Sequence, residues 1–89
     1  MNENDARNLA ALYERRRRLN DMVGYARRSD VFREAAEKQF GGTGYNSSLR
    51  EAVGGVDDLA SLMKRAVISE LEQRLDDAAT EITNAGGDL

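Results

Sequence analysis

The chain has 89 residues, of which 33% are charged and 40% are apolar, and its formal net charge is −3 at pH 7. It contains no cysteine, histidine or proline, so the usual zinc and haem ligand sets are missing. Net negative charge argues against general binding of duplex DNA, which depends on an excess of basic side chains. A chain this short forms one domain with a thin core, and homo-oligomerisation is a common way to stabilise such a core.

The first predicted element is an amphipathic helix over residues 5–29. Asn4 or Asp5 could cap its start, and Gly24 weakens its last turn. Its apolar residues recur every three or four positions, which is close to a heptad repeat, at Leu9, Leu12, Leu19, Val23 and Ala26.

Arginines 15–18 surround a full turn of this helix. One interpretation is a solvated face paired with Glu14, Asp21 and acids of neighbouring helices. The other is that one or two of the arginines grip a phosphate or carboxylate. Arg16 lies within the apolar repeat, where a charge costs stability unless it is paired. We expect Glu70 to be its partner, with an anionic ligand as the alternative.

The middle of the chain, residues 30–55, has two interpretations. Asp30 followed by an alanine- and glutamate-rich run indicates a short helix that Gly41 and Gly42 end. The alternative is a two-stranded ribbon of residues 37–40 against 45–53. Ser48 with Glu51 fits a capping box, which places a helix start inside the loop. Gly54 and Gly55 then separate this region from the last helix and could act as a hinge.

The loop at residues 40–48 is rich in glycine and hydroxyl groups and is the candidate binding site. Glycines let a ligand approach the main chain, and successive N–H groups before a helix can hold an anion. Arginine suits phosphate and tyrosine can stack on a base. We therefore predict that a small anionic ligand binds Gly41, Gly42, Thr43, Gly44, Tyr45, Asn46, Ser47 and Arg50, with Arg28 and Tyr25 from the first helix. The plain alternative is a tight turn with solvated arginines.

The last predicted element is a long amphipathic helix over residues 56–84, followed by a short tail at 85–89. Asp57 and Asp58 suit the helix dipole, and Gly86 and Gly87 supply the stop. One partner helix of equal length and a short loop cannot cover this helix, so we expect its remainder to meet another copy. The fold class predicted is all-α: a helical hairpin with a glycine-rich connection, assembled as a homo-oligomer, with a small β-hairpin in the middle as the alternative.

Enzyme chemistry is poorly supported by the sequence. There is no histidine or cysteine, and the adjacent acids Asp57–Asp58 and Asp76–Asp77 point about 100° apart on a helix, so they do not converge on a metal. The run at 41–44 lacks the lysine and the following serine or threonine of a phosphate-binding loop. We predict a non-enzymatic protein without a metal or cofactor.

The layout resembles that of small proteins of phages and prophages, in which an amphipathic helix, a Gly-Gly-x-Gly segment and a long helix with a glycine-and-acid tail follow one another. The matching parts are Phe40-Gly41-Gly42-Thr43-Gly44-Tyr45, the helix at 58–82 and the tail at 85–89, which together cover roughly the C-terminal half. Members of this group often carry a strand-like segment and a proline before the second helix, and this chain has neither clearly.

The resemblance implies a role in suppressing bacterial immunity, since some small phage proteins of this build act in that way. One expectation is that an oligomer sequesters a nucleotide-derived second messenger. The alternatives are an inhibitor or adaptor that lays an acidic helical face on a host defence protein, as anti-CRISPR proteins do, or a component that serves assembly alone. No segment is long and apolar enough to span a bilayer, and the N-terminus does not resemble a signal peptide. We expect a cytoplasmic protein of a bacterial host.

Overall fold

A computed structural model describes residues 3–88, with side chains from Asp5 onward. Within these bounds four helices follow one another and no strand forms, which confirms the all-α prediction. The side chain of Asn4 and the last residue of the tail, Leu89, lie outside the described residues. The helices are α1 (Glu3–Arg28), α2 (Val31–Phe40), α3 (Tyr45–Ala52) and α4 (Val56–Asn84).

The first helix begins earlier than its predicted caps. Because α1 already includes Glu3, Asn4 and Asp5 lie inside it and neither is the cap residue. Gly24 does not end the helix, which continues to Arg28. The break comes at Ser29 and Asp30, where the Ser29 Oγ accepts a hydrogen bond from the Val31 N–H at 3.1 Å.

The middle of the chain folds as two short helices, and the β-ribbon alternative is wrong for the residues described. The helix at residues 31–40 buries one face against α4. Phe32, Ala36 and Phe40 form this face and recur every four positions. The third helix starts at Tyr45, three residues before the predicted start at Ser48. The N–H of Ser48 already bonds to the Gly44 carbonyl at 3.0 Å, so the Ser48–Glu51 capping box does not form.

The chain divides into two compact units, the second of which covers residues 26–68. The buried centre of unit 2 is made by Ala36 of α2 with Leu59 and Ala60 of α4. Partly buried side chains complete the cluster at Phe32, Phe40, Val53, Val56 and Met63.

Unit 1 consists of α1 up to Tyr25 and of α4 from Ser69 together with the tail. Here the start of α1 lies beside the end of α4, as a helical hairpin requires. Its most buried side chains are those of Val23, Ala78 and Ile82.

Two of the helices end in the same hydrogen-bond pattern, the Schellman motif. At the end of α3 the N–H groups of Gly54 and Gly55 bond to the carbonyls of Glu51 and Arg50. At the end of α4 the N–H groups of Gly86 and Gly87 bond to those of Thr83 and Ile82. Gly54 (φ 108°) and Gly86 (φ 87°) occupy the positive-φ position that glycine adopts without strain. The predicted hinge at 54–55 is thus a hydrogen-bonded helix cap.

The tail is held on α1 through one phenol group. The Tyr13 hydroxyl donates to the Asp88 carbonyl at 2.6 Å and accepts from the Asp88 N–H at 2.8 Å. Between these residues Gly87 packs so tightly that an added Cβ would lie 2.7 Å from the Leu9 Cδ1 atom and 2.8 Å from the Ile82 Cγ2 atom. A side chain at position 87 would therefore have to displace the side chains around it.

Candidate functional site

The glycine-rich loop joins α2 to α3 at residues 41–44, and all four residues are exposed. Gly44 has a φ of 87°, which turns the chain into α3, and a side chain at Gly41 would collide with the Glu37 carbonyl. Gly42 has open space around it and an ordinary φ. Two of the loop's three glycines are thus explained by the backbone turn, without reference to a ligand.

Arg50 and Asn46, both predicted to bind a ligand, cap α2 from α3. Arg50 donates from Nη1 to the Phe40 carbonyl at 2.8 Å and from Nη2 to the Ser47 Oγ at 3.1 Å. The Asn46 Nδ2 donates to the Gln39 carbonyl at 3.1 Å. Carbonyls at the end of a helix lack partners in the helix itself, so these side chains satisfy groups that would otherwise need water. The structure brings Asn46, Ser47 and Arg50 together, and ligand binding at the loop stays a prediction.

The two predicted site residues from α1 belong to different units. Tyr25 lies in unit 1 with about half of its surface exposed, and Arg28 lies in unit 2, as the loop does. Arg28 is exposed at the end of α1. Arg28 forms no hydrogen bond with the loop among the described residues of unit 2.

The most exposed apolar surface of unit 2 lies on α3. Tyr45 is 95% exposed and Leu49 is 50% exposed, and Ala52 is exposed as well. These residues are spaced i, i+4 and i+7, so they form one stripe along the helix, which we call the α3 stripe. The inward face of α3 carries Ser47 and Arg50 instead. This short helix therefore turns its polar anchors toward the protein and its apolar residues toward solvent.

The sequence interpretation selected Tyr45 but missed Leu49 and Ala52. The i, i+4, i+7 spacing of these three residues is present in the sequence and could have indicated the stripe. Gly44 and the serines at 47 and 48 indicate a loop instead, and the helix has only eight residues. Short helices give weak periodic patterns.

A groove of about 270 Å³ lies elsewhere in unit 2, beside the start of α2. Its cations are already engaged, since the Arg33 Nε lies 2.9 Å from an Asp57 carboxylate oxygen and the Lys64 Nζ donates to the Arg27 carbonyl. The lining also carries the acids Asp30 and Asp57, which balance the charges of Arg33 and Lys64, so the groove offers no excess of positive charge to an anion. The lining includes Ser29, Asp30, Phe32, Arg33, Asp57 and Lys64.

The arginine run on α1 is largely a paired, solvated face. Arg17 forms ion pairs with Glu14 and, at 3.2 Å, with Asp21. Arg18 forms an ion pair with Glu14 at 3.2 Å. Arg15 pairs with Glu81 of α4 at 3.2 Å. The hydrogen bond from Arg17 lowers the pKa of the Glu14 carboxyl, and Arg18 adds to this effect. The hydrogen bond with the Glu14 carboxylate in turn raises the pKa of Arg17.

Arg16 differs from its neighbours. It is half-buried and makes no hydrogen bond or ion pair with any residue between 5 and 88. The predicted pairing with Glu70 is wrong, because Glu70 accepts from the Arg74 Nε at 3.0 Å within α4.

Metal binding and membrane insertion gain no support from the described part of the chain. Among these residues no three histidine, cysteine or acidic side chains converge as a metal site would require. None of the described helices combines the length and the apolar character that crossing a membrane needs. No family model, curated protein or solved structure matches the chain.

Proposed function

We propose that the chain is a non-enzymatic binding protein that recognises another protein through the α3 stripe. The observation that carries this proposal is the 95% exposure of Tyr45 next to the half-exposed Leu49. Tyrosine is a frequent anchor of protein interfaces, because it combines a large apolar ring with a polar tip. An amphipathic helix that lays its apolar face into a groove is a common mode of recognition.

The anchoring of α3 favours this role. Arg50 and Asn46 tie the helix to the end of α2, and Gly54 and Gly55 close its other end with backbone hydrogen bonds. A helix fixed at both ends loses little conformational freedom on binding. The net charge of −3 would steer the protein toward a basic partner surface.

The resemblance to small phage proteins suggests what the partner is. On this proposal the chain acts in the cytoplasm of a bacterial host and blocks a defence protein. Exposed acids of α4, such as Glu70, Glu72 and Asp77, would then steer the protein electrostatically toward the partner that α3 contacts. This setting rests on the resemblance alone and is tested together with the binding surface.

The experiment compares a substitution in the α3 stripe with one outside it. Tagged wild-type chain, Leu49→Arg and Ser61→Arg are used to capture proteins from a bacterial lysate, followed by mass spectrometry. Ser61 is an exposed neutral residue on α4 in the same unit, so Ser61→Arg is a matched control for the added charge. We expect one host protein to be captured by the wild type and by S61R, and to be lost at least tenfold with L49R. Equal capture by all three chains would contradict the proposal. Circular dichroism checks that each variant keeps its helix content.

A second candidate function is capture of a small anionic ligand, such as a nucleotide second messenger, at the glycine-rich loop. The specific observation is that no side chain caps the N-terminus of α3, so its first N–H groups face the exposed loop. Free N–H groups at a helix N-terminus attract anions. Tyr45 would stack on the base.

Calorimetric titration with cyclic dinucleotides and cyclic ADP-ribose isomers tests this candidate. Binding that Gly42→Ala weakens would support it, because Gly42 has open space and an ordinary φ, and the substitution does not strain the fold. Absence of heat with every compound would exclude the candidate and leave the protein-binding proposal unaffected.

A further inference from the structure

The apolar face of unit 1 is only half covered. Leu12 and Leu19 of α1 and Leu71 and Leu75 of α4 are each half-buried. Apolar side chains that stay in contact with water forgo part of the free energy that burial provides. Unit 1 contains only parts of two helices and the tail, so it offers no third helix to cover these leucines.

Arg16 lies in the same repeat, between Leu12 and Leu19. The residue is half-buried, and its guanidinium has no partner among the residues that the structure describes. The other three arginines of the run are all paired with carboxylates. A charge on an apolar face is stabilised only when an opposite charge or hydrogen-bond acceptor reaches it. This position therefore calls for a carboxylate from outside the chain.

The end of α4 in the same unit supplies the complementary charge. The Asp76 carboxylate is exposed and makes no hydrogen bond or ion pair within residues 5–88. The other acids of this segment are engaged, namely Glu70 with Arg74, Asp77 with Gln73, Glu81 with Arg15, and Glu72. Among its described residues, unit 1 thus has an unpaired cation on α1, Arg16, and an unpaired acid on α4, Asp76, and these two do not pair with each other within one chain.

We propose that a second copy of the chain covers this face, in a two-fold symmetric dimer where Arg16 of each copy pairs with Asp76 of the other. Two-fold symmetry makes every contact occur twice, so one arrangement satisfies both unpaired groups of both copies. It also buries the leucines of α1 and α4 against their equivalents, in the manner of a four-helix bundle. The surface belongs to unit 1, and it is independent of the α3 stripe in unit 2.

Charge exchange between the two positions tests the dimer. Sedimentation equilibrium of the full chain should give twice the 9.9 kDa chain mass for the wild type. Arg16→Glu and Asp76→Arg each place like charges opposite one another at both contacts, and we expect each to weaken association at least tenfold. An equimolar mixture of the two variants places opposite charges at both contacts, and association should return to the wild-type level.

The controls separate pairing from general effects. Arg65→Glu reverses an exposed charge on α4 in unit 2 and should leave the dimer unchanged. Leu49→Arg should also leave it unchanged, so failure of the protein-binding proposal does not affect this result. Should R16E lose helix content, Arg16→Gln removes the charge more mildly and should still weaken association. A monomeric wild type, single variants that associate as the wild type does, or a mixture as weak as its components would each overturn the proposal.

Discussion

At the scale of residues, a few polar side chains hold α3 and the C-terminal tail against neighbouring helices. Arg50 and Asn46 bond to carbonyls at the end of α2, and the Tyr13 phenol holds the tail. The sequence identified Arg50 and Asn46 as polar residues near a loop, but it could not show that they bond to backbone groups 10 and 7 positions earlier, respectively. Such contacts depend on how α2 and α3 meet, and no local pattern records this.

Loss of the Tyr13 hydroxyl should destabilise the fold. In Tyr13→Phe both hydrogen bonds to Asp88 disappear, and we expect the free energy of unfolding to fall by about 1 kcal/mol. The measurement is urea unfolding followed by circular dichroism. Tyr25→Phe is the matched control, since the Tyr25 hydroxyl has no hydrogen bond to the described residues, and it should unfold as the wild type does. Equal stability of both variants would mean that the phenol does not hold the tail.

At the scale of elements, α1, α2 and α4 could be predicted from the sequence, and α3 only as a helix start within the loop. The apolar repeats and the glycine stop gave α1 within two residues at its start and gave α4 its observed bounds, Val56–Asn84. Helix α3 has eight residues, and its serines and flanking glycines favour a loop locally. Its formation depends on packing of Val53 against the unit 2 core and on the bonds of Arg50, which are tertiary effects.

The C-terminal cap of α4 gives a prediction of its own. In Gly87→Ala the new methyl group would meet Leu9, Ile82 and the Tyr13 hydroxyl. We expect a loss of about 1–3 kcal/mol in the free energy of unfolding, as for other overpacked sites. Gly42→Ala adds the same methyl group in open space, and its stability should stay within about 0.5 kcal/mol of the wild type. A G87A variant as stable as G42A would show that the tail does not pack on α1.

At the scale of the whole molecule, each unit has one surface with apolar side chains that the chain itself leaves exposed or only partly covered. Unit 1 has a half-covered apolar face with an unpaired Arg16, and unit 2 has the α3 stripe. The sequence predicted self-association from the length of α4 and the thin core, but it assigned ligand binding to the glycine-rich loop. The structure places the loop's arginine and asparagine in helix capping and turns Tyr45 fully outward. On the proposal made above, the partner of the α3 stripe is a protein, and ligand binding at the glycine-rich loop stays a prediction.

Photo-crosslinking from α3 tests this central claim most directly. A benzoylphenylalanine placed at position 49 or at position 61 in cells of a bacterial host reports which molecules lie against each side chain. We expect position 49 to crosslink to one host protein and position 61 to give that product at least tenfold more weakly, because position 61 is exposed on α4, outside the α3 stripe. Identical products from both positions, or products at 49 that contain only copies of the chain itself, would contradict the account.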